Sequence, residues 1–270
     1  SPHADRGYAA AAMPHTPPAA TAAARTDRCP GVLRLHSAGD GELARIRLPG
    51  GVLTAAGLEA IEAVSALGNG IVEITSRANV QVRGLGPNDA PAVAELLGHG
   101  GLLPSPEHDR VRNVAAEPDV DSSLIDELDS MICSSPDLAA LSGRFLFALG
   151  PTSGPIPDVA LVEGRLALSG AMTDLHGDVS LLVDAARAFL ELADDAWQIE
   201  DPAPIASALG GRMQEEPLAR APLPRPEVNL AIRPEADDRR PARRGRRRLR
   251  QHRAVRAPGG HVHARRPRGP

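Results

Sequence analysis

No lysine occurs in these 270 residues, and all 30 basic side chains are arginine. With Ala, Gly and Pro abundant as well, this reflects the codon usage of a GC-rich gene more than chemistry. Aromatic residues make up only 2%, with a single Trp197 and a single Tyr8. Ala, Val, Leu and Ile must therefore build the core. The stacking platforms that bind single-stranded nucleic acid are poorly supplied, so nucleic acid is not an expected partner. Two cysteines, Cys29 and Cys133, match no CxxC spacing. Iron-sulfur clusters usually need four thiolates, so this chain alone is not expected to hold one. Both cysteines read as reduced thiols. No apolar run approaches the roughly 20 residues of a membrane span. The first residues lack a basic stretch followed by an apolar one, so no secretory leader is expected and the cytoplasm is the expected compartment.

What is present divides along the chain. Residues 1–26 are Ala, Pro and Thr in low-complexity order, which predicts a disordered segment. In residues 43–48, Leu43, Arg45 and Arg47 interleave with Ala44, Ile46 and Leu48, a half-buried strand ended by Pro49, Gly50 and Gly51. Thr54 then caps a helix with Leu58, Ile61, Val64, Ser65 and Leu67 at helical spacing, stopped by Gly68, Asn69 and Gly70. Residues 71–75 and 80–85 read as strands, and residues from Pro87 onward as a helix carrying Val93, Leu96 and Leu97. The order strand, helix, strand, strand, helix predicts a small α+β layer over residues 27–105. Residues 106–202 predict a partial second α+β domain. In it, residues 121–132, 137–141 and 179–192 are helical, residues 144–150 form a strand, and residues 159–168 form a hairpin around Glu163 and Gly164. Residues 203–270 read as a Pro- and Arg-rich disordered tail. From Arg233 onward it carries fourteen arginines against three acids, a like-charge block that cannot bury itself.

The most informative stretch is 74–84, where Thr75, Arg77, Asn79, Gln81 and Arg83 alternate with other residues. On one strand they would share a face, two guanidiniums among amides and a hydroxyl. The spacing leaves two readings open: a solvated strand face, or a surface for carboxylate-bearing ligands, which guanidinium grips in a two-pronged fork. A second cluster, residues 108–114, sets Arg110 and Arg112 around Val111 and ahead of Asn113.

These two stretches resemble the paired signatures of the sulfite/nitrite reductase superfamily. Thr75, Arg77 and Gln81 match its Thr-x-Arg-x-x-x-Gln element, and Arg112, Asn113 and Val114 match its Arg-Asn-Val element. The resemblance implies a ferredoxin-like nitrite/sulfite reductase half-domain, with Arg77 and Arg112 binding an anionic substrate. A third basic element is echoed by Arg144, with Leu146 where a second cation is expected. Within the superfamily, residues 28–34, 45–51 and 101–114 are similar to the precorrin-3B synthases of cobalamin biosynthesis. That likeness implies oxygen-dependent hydroxylation of precorrin-3A with lactone formation. It also implies a 4Fe-4S cluster held by a C-terminal half, and a redox partner. A sulfite or nitrite reductase would use sirohaem instead; a non-catalytic tetrapyrrole-binding module is the third possibility. The implied substrate-binding set is Thr75, Arg77, Asn79, Gln81, Arg83, Arg112, Asn113 and Arg144. The cysteine-bearing second half has no counterpart after residue 202, and the arginine-rich run there resembles a shifted reading frame.

Overall fold

The computed structural model describes residue 27, residues 29–151, 154–193 and 195–220, and the backbone of Ala231–Arg233. The expectations for residues 1–26, Arg28, residues 221–230 and residues 234–270 lie outside the described residues.

Two α+β lobes follow one another. In the first, β1 (His36–Ala38) and β2 (Gly41–Ile46) form a hairpin. β2 continues against β5 (Val80–Leu85), which pairs on its far side with β4 (Val72–Ile74). The sheet is antiparallel throughout, in the order β1-β2-β5-β4. Ala44, Ile46, Leu48, Val80 and Val82 face a core completed by two helices, α1 (Ala55–Leu67) and α2 (Ala90–His99). Between β2 and α1 the chain turns at Pro49–Gly51, where Gly50 has φ 63° and a Cβ would run into Ile125 of the next lobe. β3 (Val52–Thr54) follows and pairs in parallel with β12 (Ala231–Arg233).

Thr54 caps α1 as expected, its Oγ1 accepting from Gly57 N at 3.0 Å. The buried stripe is Gly57, Ala60, Ile61 and Val64, at the i, i+3, i+4, i+7 spacing of one helical face. Leu58 and Leu67, assigned to that face by spacing alone, lie off it and are each 41% exposed.

The second lobe is a six-stranded sheet ordered β11-β10-β9-β8-β7-β6. β6 (Val114–Ala116), β7 (Phe147–Leu149) and β8 (Val159–Val162) run parallel. β9 (Arg165–Leu168), β10 (Ala171–His176) and β11 (Met213–Pro217) add to them antiparallel. The helices α3 (Ser122–Cys133), α4 (Ser180–Leu192) and α5 (Ala203–Ala208) contribute to its core. All three phenylalanines of the chain meet there: Phe145 lies 5.1 Å from Phe147, edge to face, and 5.2 Å from Phe189. Such pairs add about 0.5 to 1.5 kcal/mol beyond area burial. The fold is thus mixed, a four-stranded antiparallel α+β lobe followed by a second, six-stranded α+β unit. Past Pro202, where a disordered tail was expected, the chain forms α5 and then β11, to Pro217.

Buried polar groups join the lobes. Asp109 accepts from Val32 N at 2.7 Å and Leu33 N at 3.1 Å. Asn79 Nδ2 donates to Asn113 Oδ1 at 3.0 Å, while Asn113 Nδ2 donates to the Gly143 carbonyl at 2.8 Å. No helix among the described residues is long and apolar enough to cross a membrane.

Candidate functional site

The alternating stretch does not form one strand face. Residues 75–79 are the turn between β4 and β5, closed by Thr75 N donating to the Asn79 carbonyl at 2.8 Å. Thr75 Oγ1 organises it from inside, accepting from Arg77 N at 3.4 Å and Asn79 N at 3.2 Å. Ala78 sits at φ 55°, a conformation a side chain resists. Thr75, Arg77 and Asn79 therefore gather at one end of the sheet, and Gln81 and Arg83 lie along β5. The alternation arose from a tight turn feeding a strand, not from a single strand.

That turn closes one side of a cleft of about 230 Å³, lined by Arg45, Arg47, Thr75, Ser76, Arg77, Asn79 and Pro155. Three arginines line it and, among the described residues, no carboxylate does. Arg47 is 2% exposed and its Nε donates to the Arg110 carbonyl at 3.0 Å. Burial, with repulsion from Arg45, pushes its pKa down to about 10, which leaves it cationic at neutral pH. Burial also lowers Arg45, and the charge of Arg77 adds to that. Arg45 gives one terminal nitrogen to Gln81 Oε1 at 2.8 Å, but its Nε is buried with no partner among the described residues. The Arg77 guanidinium makes no direct hydrogen bond or ion pair among the described residues, and its charge reaches the buried Asp158, whose pKa it works to lower. An unpaired buried donor is costly, and two neighbouring cations make this one costlier. Chemically, such an arrangement can accept an anion.

The remaining expected residues serve other contacts. Arg112 is 4% exposed and forks onto Asp129, 2.7 Å to each oxygen, with a third bond to the Leu102 carbonyl at 3.1 Å. Burial alone would lower its pKa, but Asp129 outweighs this and the net shift is upward. Asn79 and Asn113 are the clamp between lobes. Asn79 Oδ1 also accepts from Leu48 N at 3.0 Å, which seats the turn on the end of β2. Arg83 is paired with Asp40 at 2.8 Å on the surface. Arg144 is exposed and stacks 4.4 Å above the Trp197 ring. Arg45 and Arg47 were not singled out from sequence, although their alternation along β2 placed them together on one side.

A larger hollow of about 690 Å³ lies in the second lobe, but Glu117, Asp119, Glu163 and Glu216 line it. Those acids repel anions. Among the described residues no group of His, Cys, Asp or Glu is arranged to hold a metal ion. Both cysteines are free, and burial raises each thiol above its ordinary pKa. Two thiols do not fit a cubane iron-sulfur cluster, which takes four thiolates.

Comparison with known proteins places the first lobe in a class. Residues 36–99 match the family described as the nitrite/sulfite reductase ferredoxin-like half domain. A particular relative is a precorrin-3B synthase of Sinorhizobium sp., 39% identical over 89 residues, which are 32% of this chain and 19% of that protein. The structure of the Mycobacterium tuberculosis NirA protein aligns with a TM-score of 0.45 at 20% identity, covering 57% of this chain and 34% of that one. The chain thus spans about a fifth of the length of the synthase it matches.

Proposed function

We propose that this chain is the substrate-side part of a precorrin-3B synthase-like oxidoreductase, acting in the cytoplasm, and that its cleft receives a carboxylate arm of an anionic tetrapyrrole of the precorrin-3A class. The observation that carries this reading is the convergence of Arg45, Arg47 and Arg77 on one cleft with no carboxylate along its lining. The partial identity to a precorrin-3B synthase points to the same ligand. Arg45 and Arg77 supply the charge-assisted bonds. Arg47 holds positive potential at the cleft floor, and the Thr75 turn sets the distance between strand and guanidinium. In this reading Asn79 lines the cleft and is held by Asn113, while Arg112 is committed to Asp129. The reaction of the whole enzyme would be oxygen-dependent hydroxylation of the macrocycle with lactone formation. Any iron-sulfur cluster and redox partner for it must come from outside this chain, whose two cysteines cannot supply the ligands.

A second reading rests on the cleft's volume. About 230 Å³ suits one carboxylate or one small oxyanion and not a macrocycle, so a sulfite- or nitrite-binding piece of a sirohaem-dependent reductase would use the same three arginines. Titration of the intact chain with uroporphyrin, with sulfite and with nitrite separates the two. The first reading predicts that the porphyrin binds, and that Arg77→Ala and Arg45→Ala each weaken it by about 1.5 to 3 kcal/mol, roughly ten- to a hundredfold. Tight sulfite or nitrite binding without porphyrin binding would favour the second. Porphyrin affinity untouched by either substitution would overturn the assignment of the cleft.

A further inference from the structure

Arg45, Gln81 and Glu73 occupy one rung across three neighbouring strands, since Gln81 on β5 is the registered partner of Arg45 on β2 and of Glu73 on β4. Arg45 donates to Gln81 Oε1 at 2.8 Å, and Gln81 Nε2 donates to Glu73 Oε2 at 2.7 Å. A guanidinium only donates, a carboxylate only accepts, and a glutamine amide does one at each end. The chemistry of the two neighbours therefore permits a single orientation of the Gln81 amide. Glu73 in turn faces Arg83, 3.8 Å away, and Arg83 is held by Asp40 at 2.8 and 2.9 Å.

We propose that Gln81 is a positioning residue: locked by Glu73, it fixes Arg45 in the anion cleft through a neutral contact that leaves the charge of Arg45 available to the ligand. Gln81 does not itself line the cleft. A carboxylate at that position would hold Arg45 equally well and cancel its charge. The amide inserts one residue between Arg45 and the nearest acid on the rung, and Arg83 balances that acid from the other side. Arg45 then keeps a buried, unpartnered Nε beside Arg47 and Arg77, the state that binds anions best. This inference rests on the reading of the cleft as an anion site.

The test uses sulfate as probe, the intact chain, and the isosteric Gln81→Glu. At neutral pH the variant should bind sulfate roughly tenfold or more weakly, the scale of a charge-assisted hydrogen bond. Affinity should recover as acidification protonates the new carboxyl, while the parent stays flat over the same range. The double variant Glu73→Gln with Gln81→Glu restores a complementary pair on the rung, so its thermal stability should return to the parent's while sulfate binding stays weak. A merely structural role for Gln81 would move stability and affinity together and show no recovery in acid; either result overturns the proposal. Arg77→Ala, run in parallel, isolates the underlying reading. Weakened binding in Arg77→Ala with none in Gln81→Glu overturns the positioning role and leaves the cleft standing. Unchanged binding in both variants overturns the two together.

Discussion

Buried carboxylates in this chain titrate on opposite sides of their ordinary value. Burial works to raise Asp27, but hydrogen bonds from Cys29 N, Gly143 N and Ser142 Oγ outweigh it, and its pKa falls below 3.8. For such a group the stabilisation is whole above 3.8 and drains away as pH falls through the depressed folded value. Asp109 is raised, chiefly by burial, so its contribution shrinks as pH climbs from 3.8 through the elevated value. Asp27→Asn should lower stability at neutral pH by about 1 to 2 kcal/mol through poorer acceptors and flatten the loss of stability in acid. Denaturant melts between about pH 3 and 7 check this; an acid limb as steep as the parent's would remove Asp27 from the account. At this scale sequence singled out Thr75 and Arg77, and the structure places both on the cleft lining. Sequence could not weigh Arg112, whose guanidinium is committed to Asp129 seventeen residues on, nor bring Arg45 and Arg47 to the same cleft, because alternation names a strand face without naming its neighbours.

Elements differ in how plainly their residues announce them. α3, α4 and the hairpin of β8 and β9 follow the sequence reading closely, since each carries enough periodic residues to define a face. β3 and β6 have three residues each, too few to show alternation. β11, Met-Gln-Glu-Glu-Pro at the sheet edge, is largely exposed and is held by backbone pairing to β10. The strand expected over residues 144–150 starts only at Phe147, because Phe145 N turns back to the Ser142 carbonyl at 2.9 Å. The turn at residues 75–79 falls between the two expected strands, and within it Ala78 is held at φ 55° next to the cleft-lining Arg77. A residue with a Cβ pays about 1 to 2 kcal/mol there, part of which glycine would lose again to the freedom of the unfolded chain. Ala78→Gly should raise unfolding stability by about 0.5 kcal/mol and weaken sulfate binding a few-fold by loosening Arg77. A loss of stability in that variant would show that the turn carries no strain.

The whole molecule is two lobes with separate cores, fastened by Asn79, Asn113, Asp109 and the seat of Gly50 against Ile125. One of these fasteners, Asn79, also lines the cleft, and Arg47 of the cleft bonds across the seam to the Arg110 carbonyl. The site thus depends on both lobes being folded, even though the three arginines all come from the first. Sequence conveyed the layered order of the first lobe, most of the elements of the second and the motif at the turn. The junction was illegible because it is made by side chains from distant segments, Asn79 to Asn113 and Val32 to Asp109. The most direct measurement is a titration of the intact chain with sulfate at constant ionic strength, followed in proton-nitrogen spectra through the arginine Nε resonances. The account predicts that Arg45, Arg47 and Arg77 shift together with one saturation point while Arg83, Arg112 and Arg165 stay still. Shifts spread evenly over surface arginines, or none that saturate, would contradict it.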